Sequence, residues 1–235
     1  MSCKARLATL KKSRKQTSNA TALRTWAHTP CAVINWSQQR LYIALDTTML
    51  WNKYCIIHLS IVCGGRAIPF LWAVKEHNSA SIGFEVYQPL LRKASWLLRN
   101  QTNVMFLADR GFANQALLKW LKRNNWHFCI RVPNDTLVHG VHRWYACSVS
   151  QLRIIQGEAK MYHQIRLWEQ GLETVNLAVA YPETVAEPCA VITDETPTLQ
   201  TLCQYGFRFR IEELWRNPRL ALSRTGYSIG LQERA

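Results

Sequence analysis

Arg40-Leu41-Tyr42-Ile43-Ala44-Leu45-Asp46-Thr47-Thr48 and Asn103-Val104-Met105-Phe106-Leu107-Ala108-Asp109-Arg110-Gly111-Phe112 decide the fold. Each is a short apolar run that stops at an aspartate. Such runs, without helical period, read as buried strands. In a twisted α/β sheet the C-terminal ends of strands are where ligands and catalytic groups collect. Two carboxylates brought side by side repel unless something positive lies between them, and a divalent cation does this best. The plainer alternative is that each Asp caps the turn that follows it, which Asp109-Arg110-Gly111-Phe112 would suit.

Working outward from these runs, 53–63 is a second β-rich stretch, followed by Gly64-Gly65 and a third run over 66–74. Apolar runs joined through Gly-Gly predict a hairpin, so the three strands form an antiparallel meander. From Ser81 the period becomes helical, with Ile82, Val86, Leu90, Leu91, Ala94, Leu97 and Leu98 recurring, and Pro89 should kink that helix or shift its start. Leu117, Leu118 and Leu121 mark a helix that begins near Asn114. Residues 126–132 form a further strand, stopped by Pro133. The 134–196 span is mixed, with strands at 165–168 and 174–180. Leu199, Leu202, Tyr205, Phe209 and 211–215 then suggest a helix that Pro218 ends. The order is three strands, helix, strand, helix, strand, β-rich stretch, helix, an α/β layout on a mixed sheet flanked by helices.

Lys+Arg 29 against Asp+Glu 15 leaves a net charge of +14. Charge of that size asks for a polyanionic partner, and nucleic acid fits better than a membrane. The most apolar stretches, 54–63 and 177–181, fall well short of the ~18–20 residues that span a bilayer. Residues 1–38 form a basic arm without Asp or Glu, expected to be flexible. It would serve as a DNA-contacting arm, and its composition also resembles an organelle transit peptide. The eight cysteines include no C-x-x-C pair, so buried free thiols in a reducing compartment are the expectation. His139, His142 and Cys147 are near each other in sequence but lack a fourth zinc ligand.

In Gln204-Tyr205-Gly206-Phe207-Arg208-Phe209-Arg210-Ile211-Glu212-Glu213, the residues Tyr205, Arg208 and Glu212 stand at i, i+3 and i+7. On a helix they share one face. A solvated face with an Arg208–Glu212 pair is the alternative, and that pair is worth only a few tenths of a kcal/mol.

Leu45-Asp46-Thr47-Thr48, Leu107-Ala108-Asp109-Arg110-Gly111-Phe112 and Tyr205-x2-Arg208-x3-Glu212 together resemble the three signatures of bacterial insertion-sequence DDE transposases that carry a Y-R-E-K motif. The resemblance covers about residues 40–219. Three short motifs in the family's order, on a predicted strand, strand and helix, are far more specific than any one of them. It implies a ribonuclease-H-like core begun in 39–133, a β-rich insertion over 134–196, the glutamate helix over 197–219 and an irregular tail over 220–235. It also implies that Asp46, Asp109 and Glu212 are catalytic and bind two Mg²⁺ ions, for which Mn²⁺ can substitute.

Thr47 and Thr48 would support the first motif, and Tyr205, Arg208 and Arg110 would lie on the DNA side with them. Arg219 stands where the motif has Lys, a planar fork in place of a point charge. The implied reaction is cleavage of DNA phosphodiesters and strand transfer, carried out on element ends and target by a homodimer in a synaptic complex. The setting would be the bacterial cytoplasm at the nucleoid, with no membrane. Relatives have a helical DNA-binding domain before the first motif and a further region after the last, so the chain reads as truncated at both ends. Two other readings stay open: an inactive remnant that binds DNA, and a ribonuclease-H-like nuclease that cuts without joining. A phosphatase with Asp46 as nucleophile would want a second acid where Thr48 stands.

Overall fold

The structure is a computed structural model that describes residues 22–25, 39–141, 145–169 and 173–211. Its strands are β1 (Ala22–Thr25), β2 (Leu41–Leu50), β3 (Tyr54–Cys63), β4 (Arg66–Glu76), β5 (Val104–Ala108), β6 (His127–Arg131), β7 (Leu137–His139), β8 (Cys147–Ser148), β9 (Ala159–Leu167), β10 (Glu173–Ala180) and β11 (Cys189–Thr193). Among the described residues the α-helices include α1 (Phe84–Leu97), α2 (Gln115–Arg123) and α3 (Leu199–Gly206). All the strands join one sheet, in the order β1-β4-β3-β2-β5-β6-β11-β10-β9-β7-β8.

Within it, β4-β3-β2-β5-β6 form the core. Only β3 runs against the others, since β2–β3 and β3–β4 are antiparallel while β2–β5 and β5–β6 are parallel. This mixed sheet is the ribonuclease-H-like arrangement expected from the sequence. The turn between β3 and β4 is Gly64-Gly65, both at positive φ (56° and 74°), where a side chain would be strained.

Period two sorts the strand residues between two layers. Leu41, Ile43 and Leu45 of β2 face the larger cluster, with Tyr87, Leu90, Leu91 and Ala94 of α1 and Leu117, Leu118 and Leu121 of α2. Each such Leu or Ile side chain, taken out of water, contributes roughly 1.5–3 kcal/mol. The opposite face carries Ala44, Val62, Ala67, Met105, Leu107, Cys129 and Val191, covered by Tyr205 and Ile211. Helix α1 continues past Pro89, which forfeits one backbone bond without ending the helix. Burial of Tyr87, Leu90, Leu91 and Ala94 holds both halves in place. Helix α2 starts where expected, with the Asn114 side chain accepting from Leu117 N–H at 2.9 Å.

Several boundaries differ from the sequence reading. Strand β2 does not stop at Asp46 but continues to Leu50, because β3 pairs with it all the way to the Leu50–Tyr54 rung. Within the basic stretch over 1–38, the described residues are Ala22–Thr25 of β1. Ala22–Thr25 add to the outer edge of β4, whose backbone groups would otherwise lack ladder partners. Five strands, β7 to β11, fall within 134–196, and β11 hydrogen-bonds to β6, so the sheet continues out of the core without a break. Helix α3 is shorter than expected. The chain tightens at Phe207 and Arg208 with i→i−3 bonds and turns helical again from Phe209. Among the described residues no helix is long and apolar enough to cross a membrane. The six described cysteines are free thiols.

Candidate active site

The last rung of the parallel β2–β5 ladder is Leu45 opposite Ala108. Asp46 and Asp109 are the next residues on the two strands, so they leave the ladder side by side, with the strands roughly 5 Å apart. Alternation puts both on the face of Ala44 and Leu107, the face that Tyr205 and Ile211 cover. Both are half-buried. Neither caps a turn. Asp109 is extended (φ −81°, ψ 171°) before the 3-10 turn Arg110–Phe112 and makes no side-chain cap bond to it. Asp46 accepts from the backbone N–H of Thr47 at 2.9 Å while still inside its strand.

From the other layer Tyr205, 2% exposed, donates its hydroxyl to Asp109 Oδ1 at 3.2 Å. The same hydroxyl accepts from Arg208 Nε at 3.3 Å. Arg208 is 4% exposed and lies over the Tyr205 and Phe209 rings, at 5.7 and 4.7 Å. Burial pushes the Tyr205 phenol up, Arg208 pulls it down and Asp109 raises it, so it stays protonated and a donor at neutral pH. The spacing of Tyr205 and Arg208 thus brings their polar ends together at Asp109 even though no continuous α-helix joins them. Ile211, fully buried on this face, is the last described residue. Glu212, Glu213 and Arg219 lie outside the described residues.

The supporting threonines divide. Thr47 points to the opposite layer and donates to the Ala80 carbonyl at 3.0 Å, tying β2 to the segment before α1. Thr48 shares the Asp46 face by alternation. Arg110 is exposed beside Asp109.

Three residues of this face were not singled out from the sequence. His58 sits directly across from Asp46 on β3 and is 2% exposed, and burial lowers its pKa to about 4, so it is neutral. Cys189 has its thiol pushed up by burial first, with Arg131 and Arg208 lowering it and Asp109 raising it. Arg131, Arg208 and Asp109 therefore lie within electrostatic reach of one point. Arg131 ends β6 just as Asp109 follows β5, and that strand-end position was the available signal.

No group of three or more His, Cys, Asp or Glu placed to hold a metal occurs among the described residues. The donor set that is present consists of two carboxylates at one strand edge. Such hard oxygen donors fit a Mg²⁺ ion that keeps several waters. His139, from the weak zinc cluster, instead has its Nε2 2.8 Å from the Trp168 carbonyl oxygen.

A mixed sheet of this kind hosts many activities, so the paired aspartates at its parallel strand ends mark a candidate site without naming its chemistry. Residues 52–206, well over half of the chain, match the family described as Transposase DDE domain. The chain belongs to that family and is a transposase catalytic domain. The matched span holds Asp109 and Tyr205, while Asp46 and Glu212 flank it. No curated protein sequence matches the chain.

Similar solved structures include a piggyBac transposase synaptic complex with hairpin DNA, at TM-score 0.44 and 10% identity over 77% of this chain. The catalytic domain of human endonuclease V gives 0.42 and 13% over 93% of this chain and 98% of its own. Marinitoga piezophila Argonaute with guide RNA and target DNA gives 0.34 and 12% over 72% of this chain and 25% of its own. The chain spans 40% of the length of the piggyBac chain.

Proposed function

We propose that this domain cleaves DNA phosphodiesters at the ends of an insertion sequence and joins the freed 3′-hydroxyl to target DNA. The observation that carries this reading is the placement of Asp46 and Asp109 as consecutive exits from one parallel ladder, on the face lined by Tyr205. Asp46, Asp109 and Glu212 would hold two Mg²⁺ ions, with Mn²⁺ able to substitute, and these would supply Lewis acidity at the scissile phosphate. Tyr205 fixes the rotamer of Asp109 by donating to it. The positive charges of Arg208 and Arg131 offset the local negative potential of the carboxylates and favour approach of a phosphate. Arg110, Thr48 and Arg219 would contact the DNA backbone around the site. Two copies would act together on paired element ends. The Tyr205–Arg208–Glu212 spacing supports membership of the Y-R-E-K group, with Arg219 in the lysine position.

End-labelled duplex DNA incubated with Mg²⁺ or Mn²⁺ tests the reading. Nicking should require the metal and disappear in Asp46→Asn, Asp109→Asn and Glu212→Gln. Undiminished cutting by Glu212→Gln would remove that residue from the set. Cutting without joined products, when target DNA is supplied, would favour the nuclease reading.

A further inference from the structure

The hairpin tip between β2 and β3 is Trp51-Asn52-Lys53, closed by a Lys53 N–H to Leu50 carbonyl bond of 3.2 Å. Trp51 and Asn52 both have left-handed backbones, φ 53° and 52°. Asparagine takes that conformation readily, whereas a bulky aromatic is an outlier there. Trp51 is nevertheless 80% exposed, and its recorded ring partner is the edge of Tyr54, with centroids 6.5 Å apart. Little packing offsets the cost of placing the largest side chain in a strained, solvated position. A tight hairpin turn asks for positive φ at both central residues, but glycine, asparagine or aspartate ordinarily fills them, so the turn explains the backbone and not the choice of tryptophan.

The tip's location supplies the ligand class. Trp51 lies five residues beyond Asp46 along β2, about 16 Å at strand rise, on the end of the sheet where the carboxylates emerge. That is a separation of a few nucleotides along a nucleic-acid strand, so a strand whose phosphate sits at the carboxylate pair can reach the ring. Lys53 follows two residues on in the same turn, held loosely to Glu76 at 3.3 Å with both side chains more than half exposed. A rigid aromatic flanked by a lysine is the arrangement on which unpaired bases stack.

We infer that Trp51 is a stacking platform for an unpaired base of the DNA strand passing through the active site, a few nucleotides from the cut. This rests on the DNA-processing reading above. The test compares two labelled duplexes, one blunt and one with a single-stranded 3′ overhang, in EDTA to prevent cutting, by fluorescence anisotropy. Trp51→Ala should bind the overhang DNA at least about fivefold more weakly, the low end for one stacked base, and the blunt DNA as wild type does. Trp51→Phe should stay within about twofold on both, because it keeps a ring face. Trp51→Asn should lose overhang binding as Ala does while melting at or above the wild-type temperature, which separates lost binding from lost folding. Wild-type affinity for the overhang in both Trp51→Ala and Trp51→Asn would overturn the inference. So would an equal loss on blunt DNA, which points to a groove contact. If wild type binds neither DNA, the DNA reading itself falls, and this inference with it.

Discussion

The Tyr205 hydroxyl touches both the acid it serves, Asp109, and the cation behind it, Arg208. Tyr205→Phe keeps the ring and removes only that link. Outer partners of a metal-binding carboxylate typically contribute about 10–100-fold to metal affinity or activity. The variant should therefore need more Mg²⁺ for half-maximal nicking by about that factor, and saturating Mg²⁺ should restore much of the rate. A rate loss that Mg²⁺ cannot restore would place Tyr205 in DNA contact instead of in carboxylate positioning. Stability should fall by only about 1 kcal/mol, the usual net worth of a hydrogen bond.

His58 gives a pH-dependent counterpart. Its folded pKa is about 4, below the ordinary value of 6.5, because burial disfavours the charged ring. The unfolded chain binds more protons between those values, so the stabilisation is complete above pH 6.5 and is lost as pH falls toward 4. The expected loss is on the order of 2–3 kcal/mol. Urea midpoints of metal-free wild type should drop from pH 7 to pH 5 more steeply than those of His58→Gln. Equal slopes would mean that His58 is not a neutral buried ring.

At the scale of elements, a polar staple closes the sheet at the end away from the carboxylates. Arg40, just before β2, donates from both terminal nitrogens to Glu195, at 2.7 and 2.6 Å, and from Nε to Asn103 at 3.0 Å. Asp194 accepts from Phe128 N–H at 3.0 Å and lies 2.8 Å from His127 Nδ1. The start of β2, the approach to β5, the start of β6 and the segment after β11 are thereby fastened together. Arg40 holds the Glu195 carboxyl below its ordinary pKa. Its contribution is therefore present above that ordinary value and is lost as pH falls below it. Glu195→Gln should cost about 1 kcal/mol at pH 7, given the partial exposure, and the gap should narrow as pH falls below the ordinary carboxyl value of 4.5. A constant gap across that range would assign the effect to packing and not to charge.

What was legible at this scale follows from which signals are local. The runs ending at Leu45 and Ala108, the Gly64-Gly65 turn and the Leu117-Leu118-Leu121 stripe each carry their own pattern, and each formed the expected element. The extension of β2 through Thr47, Thr48 and Met49 is imposed by its partner β3, which a reading of one strand cannot see. Strand β9 was read short because its first residues are partly exposed and polar, so they lack an apolar run. The break at Phe207 and Arg208 was hidden because spacings of three and four suit both a helix and a tight turn. For the site, both aspartates were visible as strand-end acids. His58 was not, since its place opposite Asp46 depends on cross-strand register, whereas Arg131 carries the same strand-end signal as the aspartates.

Over the whole molecule the net charge of +14 and the eleven-stranded sheet of the described residues bear on how DNA would be held. Paired carboxylates repel a phosphate locally, so an excess of Lys and Arg elsewhere must supply most of the attraction. Neutralising phosphates releases condensed counterions, and the logarithm of affinity falls with the logarithm of salt by about 0.9 per phosphate contacted. An excess of this size predicts some six to ten such contacts, and so a loss of about 10³–10⁵ in affinity between 50 and 200 mM salt. The dependence should be nearly the same for unrelated duplex sequences, because backbone contacts carry no sequence information. Asp46→Asn and Asp109→Asn should each bind as well or slightly more tightly in EDTA, since each removes a local repulsion without touching the distributed charge. Anisotropy titrations across that salt range measure the slope directly. A slope equivalent to only one or two phosphates would mean that the positive charge is not arrayed along the DNA path. Weaker binding by the two Asn variants would mean that those carboxylates sit in contacts that are attractive without metal, against their assignment as cation ligands.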